Sequence, residues 1–182
     1  MFDDSGHPYY NDGMENREIE KTLAMFRLPA YNEIPDVGLY LEQVAKFINT
    51  YLSIFPQMEV TPSMISNYAK QKLFQRVNKK TYSREQIAVI LFIVLTKTVL
   101  SIDQIRILLN NFAEDGGSIE ETYSSYARDL QNMLQSFSDR NGPGIDTGAS
   151  QKELMRRNIV NALAYKMYLQ CFFETYEIQK ES

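Results

Sequence analysis

The chain has 182 residues, 44% of them apolar, with 19 basic and 23 acidic side chains and a net charge of −4. That is long and apolar enough to bury a core, which excludes a disordered polypeptide. One cysteine, Cys171, excludes internal disulfides and a cysteine-only metal cluster, and a single histidine, His7, argues against a Ser-His-Asp triad or a multi-histidine zinc site within one chain.

Residues 1–27 read as a flexible or partly helical tail, turning helical near Glu18. The opening MFDDSGHPYYNDGMEN is acidic and polar, unlike a secretory leader, so a cytoplasmic location is expected. RLPAYNEIPD, with two prolines, reads as extended. Asp36 then caps a helix over 37–54, where Leu41, Val44, Ala45, Ile48 and Leu52 fall on helical spacing and Pro56 closes the segment.

Thr61-Pro62 is a helix start, a capping threonine followed by proline at the first helical position. The helix is expected over 62–72, with Met64, Ile65 and Tyr68 inward and Ser63, Asn67, Lys70 and Gln71 outward. QRVNKKTY has no helical stripe and reads as a short hairpin or tight extended loop at 75–82. Ser83 with Gln86 forms a capping box ahead of Ile87–Leu95, the longest unbroken apolar run. At nine residues it is a buried helix, too short to span a membrane.

Ser101 with Gln104 opens a further helix with Ile102, Ile105, Leu108 and Leu109 inward. AEDGGS breaks the chain, Ser118 with Glu121 caps a helix from Ile119 to about Phe137, and SDRNGPGIDTGAS is a loop. The last helix runs from about Gln151 to Glu177, with a wide apolar face that includes Leu154, Met155, Val160, Leu163, Met167, Cys171 and Phe172. The fold class is all-α, organised as the tail, a core over 28–112 and a C-terminal helical segment over 118–182.

The charge is segregated. From Val60 to Arg84 there is no Asp or Glu, yet Lys70, Lys72, Arg76, Lys79, Lys80 and Arg84 lie there, while 13 basic residues face 23 acidic ones elsewhere. Such a block suits a polyanion, and its solvated-face alternative pairs it with the acidic remainder. Glu120 and Glu121 point to different helix faces, and Gly142-Pro143-Gly144 lacks the Lys-Ser/Thr of a phosphate loop, so no enzyme chemistry is expected.

The order of capped helix, basic loop ending in tyrosine, capped buried helix and LSIDQIRILL resembles the winged helix-turn-helix of MerR-type regulators. The matching positions are Thr61-Pro62, Tyr68, Leu73-Phe74, Lys79-Lys80-Thr81-Tyr82, and Ser101 to Ile105 with Leu108-Leu109. The chain departs from that pattern at Ser66, where the family often has a phosphate-binding Arg, at Asn67 in place of the first Tyr, at Lys72 in place of Gly, and in the length of helix 37–54. Over a longer stretch, Leu28 to Phe137, it resembles the YkrK-like bacterial family of unknown function numbered 1836, which implies a fold and a cytoplasmic location but no activity.

A helix in the major groove needs an apolar face for anchoring and a polar face for base edges, and helix 62–72 has both. Asn67 suits adenine and Lys70 guanine or phosphate. The expectation is therefore a DNA-binding transcriptional regulator with a MerR-like core, contacting double-stranded DNA through Ser63, Ser66, Asn67, Lys70, Gln71, Arg76, Lys79, Lys80 and Tyr82. It is expected to act as a homodimer through 118–182, with no cofactor, metal or membrane and with room for a small-molecule effector. The alternative is an all-α protein-interaction module that reads no DNA, its basic block meeting an acidic surface.

Overall fold

The computed structural model describes residues 12–75, 80–114, 117–139 and 150–180, and among them the fold is all-α, with no strand. Seven helices follow in chain order: α1 (Asp12–Met25), α2 (Leu41–Leu52), α3 (Pro62–Lys70), α4 (Arg84–Thr96), α5 (Ile102–Glu114), α6 (Ile119–Asp139) and α7 (Gln151–Lys180). Residues 140–149 of the expected loop before α7 lie outside the described residues.

The capping boxes read from the sequence are formed. The Ser83 hydroxyl accepts from the Gln86 amide at 3.3 Å while Gln86 Oε1 accepts from the Ser83 amide at 3.0 Å. Ser101 with Gln104 does the same. α4 is apolar on every side because every side is covered: from Ile87 to Thr96 only Val89 is less than fully buried. It packs on α6 and α7, with the Phe92 ring edge-on to Tyr126 at 5.0 Å.

α1 starts well before Glu18 and buries Ile19 and Leu23 against α6 and α7, with Phe26 buried just beyond its end. Phe26 stacks edge-on with Phe55 at 5.3 Å, which ties the first helix to the segment after α2. One cluster of buried side chains runs from Ile19 to Cys171, so all these stretches share a core.

α2 is shorter than its apolar pattern suggested. Asp36 does not cap it: residues 34–40 remain non-helical, and the first turn is closed by Gln43, whose Oε1 accepts from the Tyr40 amide at 2.8 Å. Asp36 instead lies 3.9 Å from Arg84. The stretch before α2 is held from α4, where Arg84 Nε donates to the Ile34 carbonyl at 2.8 Å and the guanidinium sits 5.6 Å from the Tyr31 ring centroid. Further along, Leu39 and Tyr82 exchange backbone hydrogen bonds of 2.8 and 3.1 Å, a single antiparallel bridge, while residues 76–79 of the suggested hairpin or extended loop lie outside the described residues. Gly38 allows this approach, since a Cβ there would stand 2.7 Å from the Thr81 hydroxyl oxygen.

Candidate nucleic-acid interface

The placement of α3 is set by a side chain of α2, eleven residues before Val60. Asn49, on α2, grips the backbone of Val60 twice: its Nδ2 donates to the Val60 carbonyl and its Oδ1 accepts from the Val60 amide, both at 2.9 Å. The next residue, Thr61, caps α3 by accepting from the Met64 amide at 3.2 Å, and Pro62 takes the first helical position. Ile65 and Tyr68 are buried beneath, and Met64 is half-buried.

The opposite side of α3 faces out. Ser63, Asn67 and Lys70 are exposed at spacings of four and three, so they form one stripe along the helix. Ser66 and Gln71 lie half-buried beside it. The helix ends at Lys70, two residues earlier than the sequence pattern suggested. The Lys72 amide donates to Ala69 O at 3.0 Å and the Leu73 amide to Tyr68 O at 3.2 Å, a Schellman ending with Lys72 at φ 57.

The basic loop leaves from here. Its two ends are held by one buried side chain: Gln86 Nε2 donates to the Gln75 carbonyl at 2.5 Å while its Oε1 accepts from Ser83. Arg76 and Lys79 lie outside the described residues. Lys80 is exposed and Thr81 half-buried.

Tyr82, counted among the DNA contacts from the sequence, is a correction. It is 1% exposed, its ring 6.2 Å from that of Phe74 and its backbone engaged with Leu39, so it anchors the loop and offers nothing to a groove. Arg84, one of the six cations of the block, is likewise committed to Ile34, Tyr31 and Asp36. The exposed cations among the described residues of the block are Lys70, Lys72 and Lys80.

Behind α3, Lys97 at the end of α4 places its ammonium 5.8 Å from the Tyr68 ring centroid. Burial lowers the Lys97 pKa and raises that of Tyr68, whose hydroxyl has no hydrogen-bond partner among the described residues. Sequence reading missed Asn49, Lys97 and the second bond of Gln86, to Gln75; the capping role of Gln86 was legible from its spacing, and the other three contacts carried no local signal.

A groove of about 410 Å³ lies between residues 24–31 and α6, lined among others by Arg27, Tyr31, Tyr123 and Arg128. Arg27 is already engaged, donating to both Glu33 carboxylate oxygens at 2.7 and 3.2 Å.

The family model described as a domain of unknown function, DUF1836, matches residues 29–126, more than half of the chain. The chain belongs to the DUF1836 family. No curated protein and no solved structure matches it. The DUF1836 match contains all of α2 to α5, the stretch before them and the first part of α6, and therefore the whole candidate interface. α1 and α7 fall outside the match although both are built into the same core. Among the described residues of the DUF1836 chain, no helix is long and apolar enough to cross a membrane.

Proposed function

We propose that this DUF1836 protein is a DNA-binding transcriptional regulator with a MerR-like winged helix-turn-helix. α2 and α3 form the helix pair, α3 reads the major groove, and the loop over 76–82 straddles the phosphates as a wing. Pairing of two copies on two half-sites belongs to this reading.

The observation that carries it is the outward stripe of α3. Ser63, Asn67 and Lys70 share one exposed face of a capped helix whose other face is locked into the core. Polar side chains of that kind, on a helix that cannot roll, are what base-edge readout requires. Two further features support the MerR-like part. α2 begins only at Leu41, which shortens the helix that looked too long for the pattern, and Lys72 adopts the left-handed conformation at the position where the pattern has Gly.

The test is fluorescence anisotropy of a labelled random-sequence duplex at low and moderate salt. Wild type is expected to bind, with affinity falling steeply as salt rises. Lys70→Glu/Lys80→Glu is expected to abolish binding, and Lys80→Ala alone to flatten the salt slope by about one unit if Lys80 meets a phosphate. Absence of binding by folded wild type, or binding unaffected by the double charge reversal, would refute the reading. One observation favours an all-α protein-interaction module instead: Ser66, half-buried, stands where MerR-type proteins often place their phosphate-binding Arg.

A further inference from the structure

The outward side of α7 is apolar and uncovered. Val160, Leu163, Ala164, Met167 and Cys171 on its inner side are buried, yet Met155, Tyr165, Leu169 and Phe173 remain 43, 49, 50 and 58% exposed. With Asn158 and Ala162 they recur at intervals of three, four, three, four and four residues, which keeps them on one stripe of the helix. No other helix carries more than one exposed large apolar side chain among the described residues.

The two ends of this stripe differ in shape. Towards the N-terminus of α7 lies a groove of about 370 Å³, bounded by Val99 and Leu100 beyond α4 and by Leu154, Met155 and Ala162 of α7. Towards the C-terminus Phe173 stands out, braced by the Phe172 ring set edge-on at 5.5 Å. The groove and Phe173 are separated by roughly 24 Å of helix. A protruding ring at one end and a groove at the other complement each other only when two such helices run antiparallel, and a two-fold axis then satisfies both ends at once. An unrelated partner would need to match one end alone. Two copies of the exposed side chains provide on the order of 1,000 Å², the size at which a specific interface begins. The Lys166 ammonium flanks the middle of the stripe and can remain in water at the rim.

We propose that α7 pairs antiparallel with α7 of a second copy, about a two-fold axis near Tyr165, each copy's Phe173 filling the other's groove. This deepens the homodimer part of the DNA-binding reading, and it rests on α7 alone, not on any contact with DNA.

The experiment is sedimentation velocity of the full chain, without DNA, at micromolar concentrations. Wild type is expected to be a dimer. Leu169→Asp/Phe173→Asp is expected to be a monomer with an unchanged far-ultraviolet circular dichroism spectrum, while Ile107→Asp, on exposed α5 surface, stays a dimer. Should the double aspartate variant lose helicity, Ala162→Trp, which fills the groove from an exposed position, is expected to give the monomer instead. Orientation is read by mild oxidation: Tyr165→Cys is expected to cross-link two copies and Phe173→Cys is not. A monomeric wild type, a dimer that survives both interface variants, or a disulfide through position 173 overturns the proposal. A monomer that still binds DNA defeats this interface alone, whereas a dimer that ignores DNA defeats the DNA reading alone.

Discussion

Lys72 adopts φ 57, the left-handed region that costs a residue with a Cβ about 1–2 kcal/mol. It does so because the ending of α3 requires it: Leu73 must turn back to donate to Tyr68 O and to bury its own side chain beside Tyr68. Glycine meets the same geometry without the clash. Lys72→Gly is therefore expected to raise stability by about 1 kcal/mol, less whatever the freer unfolded chain takes back. A urea midpoint that falls in the variant would contradict this. The sequence carried half of the argument, since Lys72 stood out as a replacement for Gly. The left-handed conformation itself was not legible, because lysine at that position signals nothing about φ.

At the scale of elements, the helices were legible wherever their cause is local. Thr61-Pro62, Ser83 with Gln86 and Ser101 with Gln104 all cap as their spacing implied, since each box closes within three residues. Asp36 failed as a cap because the chain stays non-helical until Leu41, five residues further on, and its exposed carboxylate lies instead 3.9 Å from Arg84, forty-eight residues downstream. Tyr82 looked like a wing residue and is a core residue, because the bridge to Leu39 turns its ring inward, and no local pattern announces that pairing. The α2–α3 connection depends on a similarly hidden contact. Asn49 satisfies both backbone groups of Val60 in a part-buried setting, and without it an amide and a carbonyl lose their partner together. Asn49→Ala is expected to cost about 1–3 kcal/mol. Because the clamp orients α3, the same variant is expected to speed amide exchange across Val60 to Met64 beyond what the global loss explains. Equal protection at those amides in variant and wild type would show that the turn holds without the clamp.

The whole molecule is held together by helices that lie wholly or mostly outside the family match. α4 is buried nearly throughout, and what covers it is α6 and α7, while α1 covers those two helices in turn. Ile19, Leu23 and Phe26 are each no more than 2% exposed. At about 1.5–3 kcal/mol for each fully buried side chain of this size, removing the three forfeits roughly 5–9 kcal/mol, as much as the entire stability of many domains. A fragment confined to residues 29–126 loses them and also α7 and most of α6, which leaves Phe92 without much of its cover and Tyr126 at a cut end. The stretch matched by the family is thus an interface carried on a larger core. The full chain is expected to unfold in one cooperative step in urea, and the 29–126 fragment to show a broad, non-cooperative transition and to bind a hydrophobic dye before any denaturant is added. A sharp transition in the fragment, with helical content scaled to its length, would mean that α2 to α5 close a core of their own and that α1 and α7 are additions to a domain already complete.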